Sequence, residues 1–217
     1  MLPYSREVLL ALCRHLNESL WWVQLAAVLV LGTAVCTAFA GGSGNHRRLV
    51  PACLGVLWAL TAALWYFDSF AGVNFLAPAY GAVAALQALL FAGLALLPGT
   101  RPGSRRFPRL GLAMVAAGFV IPLVDLATGP GWPAMRLPGL TPQPLILATA
   151  GCLLLGGMGP RRLLLVSPAL LAGVTAYQAW VLGLSQDWLV PVGVALALIL
   201  PSRLPPEGGH REPENGS

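Results

Sequence analysis

The sequence predicts an all-α fold: a polytopic transmembrane helix bundle of seven spans, or six if the last segment falls short, preceded by an interfacial amphipathic helix. Three observations predict it. The 217 residues are 57% hydrophobic and only 10% charged, whereas a soluble domain carries about 25% charge; so few charges cannot cover a water-facing surface. Apolar runs close to the ~20 residues that a bilayer core demands recur along the chain. The basic residues gather in alternate stretches between those runs.

The elements follow in order. In residues 1–18, Leu2, Val8, Leu9, Leu12 and Leu16 recur at helical spacing while Arg6, Glu7, Arg14 and Glu18 fall on another face. That is an amphipathic helix lying in the membrane interface. Residues 19–40 form the first span. Ala38-Phe39-Ala40 resembles a signal-peptide cleavage site, but the apolar run is too long and the segment before it carries two Glu, so the span is expected to stay. Residues 49–67, 74–97 and 110–128 are the next three. Residues 144–158 are a shorter fifth, 163–184 the sixth and 188–200 the shortest. The expected organisation is an interfacial helix at 1–18, a transmembrane domain at 19–200 and a disordered cytoplasmic tail at 201–217, rich in Pro, Gly and Glu.

Charge sets the orientation. All thirteen basic residues counted as Lys or Arg are Arg. Arg47 and Arg48, then Arg101, Arg105, Arg106 and Arg109, then Arg161 and Arg162, then Arg203 and Arg211 all fall on one side of the alternating spans. The other side's loops hold Arg136 alone. The Arg-rich side is cytoplasmic by the positive-inside rule, which puts the N-terminus outside and the C-terminus in the cytoplasm. Trp21, Trp22, Trp65, Tyr66, Trp180 and Trp188 lie near the outer ends of their spans, as an interfacial aromatic belt would. The bias to Arg, Ala, Gly and Pro suggests a GC-rich bacterial genome, and hence a bacterial plasma membrane. Basic pairs between apolar runs are not the clustered basic face that nucleic acid needs.

Candidate polar residues lie at the span ends. No ionisable residue stands near the middle of a span, which argues against a pump or proton-coupled carrier. Gln87, Thr61 and Thr175 are mid-span and suit interhelix hydrogen bonds; Pro122 and Pro168 suit kinks. Asp68, Asp125 and Asp187 close three outward-running spans, where a carboxylate opposes the helix dipole. Asp187 can N-cap the helix starting at Trp188. Asp125 can pair with Arg136 in the following outer loop. That loop, residues 129–144, holds five prolines and is expected to form a stiff cap over the outer end of the bundle. The segments starting Arg47-Arg48-Leu49 and Arg161-Arg162-Leu163 hint at an internal repeat of helix hairpins.

Enzyme signatures are missing: there is no G-x-S-x-G, P-loop, HExxH or dinucleotide fingerprint. His15, His46 and His210 fall outside the spans, and Cys13, Cys36, Cys53 and Cys152 have no metal-ligand spacing. No catalytic residue, metal or cofactor is expected.

The chain also resembles a bacterial family of polytopic membrane proteins of unknown function. The resemblance runs from about Leu10 to Leu200. It is carried by residues 17–24 (NESLWWVQ), Trp65-Tyr66, Phe70, Asn74, Gly81, Gln87, residues 138–144 (PGLTPQP) and Gln186-Asp187. This sequence departs from the family's pattern at Phe67, where a His is common, at Gly129-Pro130, where Gly-His is common, and at Gln143, where Cys is common. The resemblance implies a membrane location and a shared fold, and no activity.

Two functions follow as expectations. One is a non-catalytic accessory or scaffold membrane protein, with a membrane-protein partner or a second copy of itself beside the lipid bilayer. The alternative is a carrier or binder of a small neutral or lipid-like molecule, with Asn74, Asp125, Thr141 and Asp187 lining an outer-face site and Gln87 as an interhelix contact.

Overall fold

Ala and Leu dominate the apolar runs and enter helices at little entropic cost, and the computed structural model is helical wherever those runs occur. It describes residues 3–40, 46–96, 107–128, 131–156 and 161–201. The α-helices are α1 (Arg6–Ser19), α2 (Trp21–Ala40), α3 (His46–Leu60), α4 (Ala77–Leu96), α5 (Pro108–Thr128), α6 (Pro142–Gly156), α7 (Arg161–Leu164), α8 (Val166–Leu182) and α9 (Leu189–Ile199). A π-helix, Thr61–Ser69, prolongs α3. No strand forms among the described residues beyond one isolated bridge between Pro138 and Thr141.

Among the described residues, five helical segments are long and apolar enough to cross a membrane: Trp21–Ala40, Arg48–Gly72, Ala77–Leu96, Pro108–Thr128 and Arg161–Leu182. The remaining two of the seven expected spans correspond to shorter apolar helices, Pro142–Gly156 and Ser185–Ile199.

The shortness of α6 has a structural reason. Every residue from Pro142 to Leu155 is buried. The helix is the axis of the bundle, touched by α2, α3, α5, α8 and α9. At a rise of about 1.5 Å per residue, a helix of this length runs only about 22 Å, short of the ~30 Å of a bilayer core. Gly118 of α5 faces its start: a Cβ there would meet the Pro144 carbonyl at 3.0 Å. Gly118 stands near the middle of α5. So α6 begins about halfway along its neighbour, and the chain must first descend to reach it. Further along, Gly111 and Gly151 bring the two backbones together. A Cβ on Gly111 would sit 2.8 Å from the Gly151 carbonyl oxygen, and one on Gly151 2.6 Å from that of Gly111. Small residues permit such close approach between apolar helices.

The descending stretch corrects one expectation. Residues 131–141 do not lie as a cap over the bundle; they enter it. Leu140 and Arg136 are fully buried. Gly139 has φ +96°, and a Cβ on it would sit 2.5 Å from that of Ala27 in α2 and 3.0 Å from Leu57 Cδ2 in α3. The Thr61 hydroxyl donates to the Gly139 carbonyl at 3.1 Å. Irregular backbone of this kind needs protein around it, and α2, α3 and the π-helix supply it.

The helix α1 is amphipathic, and its apolar face is turned inward: Leu9, Cys13 and Leu16 are buried, packed toward the turn Trp132–Ala134. Trp65 and Tyr66 belong to the core rather than to an aromatic belt. Trp65 stacks on Phe70 with ring centroids 5.5 Å apart, while Trp21, Trp22, Trp180 and Trp188 are exposed. The wider π-turn swings those two rings inward.

Pro168 interrupts the helical bonding locally, at the single turn residue Leu165 between α7 and α8, within the continuous segment Arg161–Leu182. It has no N–H for the carbonyl four residues earlier, and α7 ends at that residue, Leu164. Gln87 repairs the loss: its Nε2 donates to the Leu164 carbonyl at 2.9 Å. At Pro122, α5 stays helical. The expected disordered tail, the Arg101–Arg106 stretch and the side chain of Arg47 lie outside the described residues.

Candidate functional site

The descending segment carries one basic side chain, Arg136, into a place from which water is excluded. A guanidinium has five N–H donors in a fixed fork, and burial obliges it to find acceptors. Two aspartates provide them. From α5, Asp125 Oδ2 accepts from Arg136 Nε at 2.8 Å and its Oδ1 from Nη2 at 2.7 Å. From the turn before α9, both oxygens of Asp187 accept from Nη1, at 2.7 and 2.5 Å. The backbone N–H of Arg136 adds a bond to Asp125 Oδ2 at 3.0 Å, and Gln186 Nε2 one to Oδ1 at 3.1 Å. Each Asp125 oxygen therefore receives two donors. That offsets the unfavourable placing of a carboxylate near the C-terminus of α5.

One cation serves two carboxylates here, so the cluster carries a formal excess of one negative charge. Desolvation is the larger influence on Asp187: burial pushes its carboxyl above the ordinary value, and the Arg136 charge pulls against it. The two carboxylates hold Arg136 above its ordinary value despite its burial. Cys13 of α1 lies within reach of the same charges, and burial pushes its thiol up to about 12.

The expected use of Asp187 as an N-cap is corrected. The helix starting at Leu189 has no side-chain cap, and the Asp187 carboxylate is turned to Arg136 instead. A buried cation is a stronger partner than one backbone N–H. The expected pairing of Asp125 with Arg136 is present.

The other candidates divide. Thr141 is in the same descending segment, and its hydroxyl donates to the Leu137 carbonyl at 3.0 Å. Asn74 does not join the cluster; its Oδ1 accepts from the Leu76 N–H at 3.0 Å and closes the turn before α4. Asp68 is exposed beside Ser69. Gln87 is the interhelix contact expected of it, although its Oε1 is buried without a partner.

Sequence reasoning missed Gln186, and it missed the brace outside the cluster. Asn17 Nδ2 of α1 donates to the Met135 carbonyl at 2.8 Å, and Gln24 Nε2 of α2 donates to Asn17 Oδ1. These bonds clamp the residue next to Arg136 to the helix corner at Leu20. The signals were two amides seven residues apart on the flank of an apolar run, at the two ends of the stretch 17–24 that carries the family resemblance. Among the arginines expected on the cytoplasmic side, Arg161 is buried and donates to the Leu200 carbonyl at the end of α9.

The cluster's chemistry is that of a lock. All four Asp125 acceptor positions are occupied, so it has no lone pair free to take a proton from a substrate. No group of three or more His, Cys, Asp or Glu residues suited to a metal occurs among the described residues.

Over residues 6–206 the sequence matches the model of a family of unknown function. No curated protein and no solved structure matches it.

Proposed function

We propose that this chain, which belongs to the family of unknown function DUF6064, is a bacterial plasma-membrane protein acting as a non-catalytic accessory or scaffold subunit, its N-terminus outside and its C-terminus cytoplasmic. The membrane reading rests on five long apolar helical segments and on large apolar side chains left exposed on their outward faces, such as Leu29, Leu89, Leu123 and Leu170. Such surface is not tolerated in water. The orientation rests on the positions of the arginines along the sequence.

The single observation that carries the scaffold reading is that Arg136 ties up the two buried aspartates, Asp125 and Asp187, with every acceptor position of Asp125 filled. A carrier needs a polar site that opens to its cargo. Here the buried polar groups of the cluster are spent on one another, and α6 fills the bundle axis.

Cross-linking in native membranes followed by reciprocal purification tests the reading. The expected result is one membrane-protein partner, or a second copy of the chain, in fixed stoichiometry. A monomer that retains one equivalent of a small molecule and moves it across proteoliposomes would overturn the scaffold role in favour of the carrier. Orientation is tested separately by impermeant thiol labelling of cysteines introduced at Trp132 and at Ser104, of which the first alone should react in intact cells.

A further inference from the structure

A groove of about 600 Å³ opens between the end of α1, the first half of α2 and the descending segment. Its deep polar residues are Asn17 and Gln24, and they are bonded to each other and to the Met135 carbonyl. They leave the groove an almost wholly apolar interior. Leu25 and Val28 of α2 form its wall, the first exposed and the second half-buried. Two indoles, Trp21 and Trp132, line it while standing more than half exposed. One charged side chain, Glu18, lines it too; it is exposed and has no ion pair among the described residues.

An apolar channel alone says little about its occupant. The rim says more. Indole faces attract cations through the ring quadrupole, and a carboxylate beside them adds a full opposite charge. Among the described residues, no basic side chain lines the groove. Arg14 is exposed on α1, one helical turn before Glu18. Residues spaced i, i+4 on a helix have Cβ atoms roughly 6 Å apart. The rim thus carries a negative charge flanked by indoles, which is complementary to an ammonium; Arg14 lies outside the lining, one helical turn from Glu18, on the side where a phosphate joined to that ammonium would be met.

We infer that this groove binds a phospholipid with an ammonium headgroup: an acyl chain lies along Leu25 and Val28, the ammonium sits among Glu18, Trp21 and Trp132, and the phosphate faces Arg14. The inference rests on the membrane reading above. It adds a headgroup preference to a protein otherwise packed shut.

Native mass spectrometry of detergent-purified protein, offered equal amounts of phosphatidylethanolamine and phosphatidylglycerol, is the test. One phosphatidylethanolamine should be retained with at least a tenfold preference. E18K should abolish that preference, and L25W, which fills the groove, should lose the lipid altogether. L89W, on the exposed face of α4, should retain it and guards against a general loss of lipid. Equal retention of both lipids, or a preference unchanged in E18K, would overturn the inference. Carbonate extraction of membranes separates the two failures. Release of the protein would sink the membrane reading itself, whereas a resistant protein without headgroup preference sinks the groove alone.

Discussion

Arg136 and Asp125 meet side-on through two parallel bonds, Nε to Oδ2 at 2.8 Å and Nη2 to Oδ1 at 2.7 Å, which leaves the remaining end of the guanidinium for Asp187. A lysine ammonium cannot reproduce that fork. The geometry ranks three substitutions. Removing the guanidinium in R136A strands two buried carboxylates, and breaking a buried pair this way costs about 3–5 kcal/mol. D125N keeps the Asp187 pair but loses the two bonds accepted by the oxygen that becomes an amide nitrogen and weakens the other two, so it should cost less. D187N leaves a neutral pair and should cost least. Thermal unfolding in a mild detergent measures all three; a D187N variant less stable than R136A would contradict the ranking.

The burial of Asp187 gives D187N a pH signature. Burial raises the Asp187 carboxyl above its ordinary value in the folded state. A carboxyl whose folded value is raised binds its proton more readily when folded. Its contribution is therefore favourable at low pH and declines as pH climbs from the ordinary carboxylate range through the raised value. Wild type should lose stability relative to D187N across that window. Paired melting curves from pH 4 upward check it; a difference that stayed flat would show that burial does not raise the Asp187 carboxyl.

Gly139 and Gly131 separate backbone strain from crowding. Both have positive φ, +96° and +102°, but a Cβ at Gly139 would strike Ala27 at 2.5 Å, whereas one at Gly131 meets only Pro133 Cδ at 3.8 Å. Alanine at either position carries the conformational penalty, on the order of 1–3 kcal/mol. Only G139A also forces α2 away from the descending segment. It should lower the melting temperature well below that of G131A. A27G in the G139A background should recover part of the difference.

Gln87 and Pro168 form a testable couple. The Gln87 amide satisfies a carbonyl that Pro168 leaves bare. Q87L alone should cost about 0.6 kcal/mol, the average for polar contacts between membrane helices, and no more than about 1.7 kcal/mol. In P168A the new backbone N–H can bond Leu164 itself, so Q87L should then cost almost nothing. A double-mutant cycle reads the coupling directly. Purely additive effects would show that Gln87 does not act through that carbonyl.

Much of the polar architecture was legible for simple reasons. Asp125 opposes its helix dipole, which marks it as needing a cation, and Arg136 is the sole Arg in the loops on that side. Gln87 is a lone amide in an apolar run, so an interhelix bond was its natural use. Asp187 misled because a residue preceding a helix reads as a cap, and sequence proximity cannot reveal a guanidinium 51 residues away. Trp65 and Tyr66 misled for a related reason. Position near a span's end suggests an interface, but a π-turn changes the angle between successive side chains.

Composition and periodicity by themselves determined that the chain is all-α and belongs among apolar helix bundles, because unbroken apolar runs of about 20 residues suit helices, whereas barrel strands are about half as long and alternate. They also marked the fifth apolar segment as short, without saying why. Only the tertiary structure decided that this segment is the buried axis, entered from halfway down, and that the proline-rich stretch before it is an insertion carrying Arg136 inside. The reason is physical: a helix surrounded by five others answers to its neighbours' shape, and a buried charge answers to partners that the linear sequence scatters along its length.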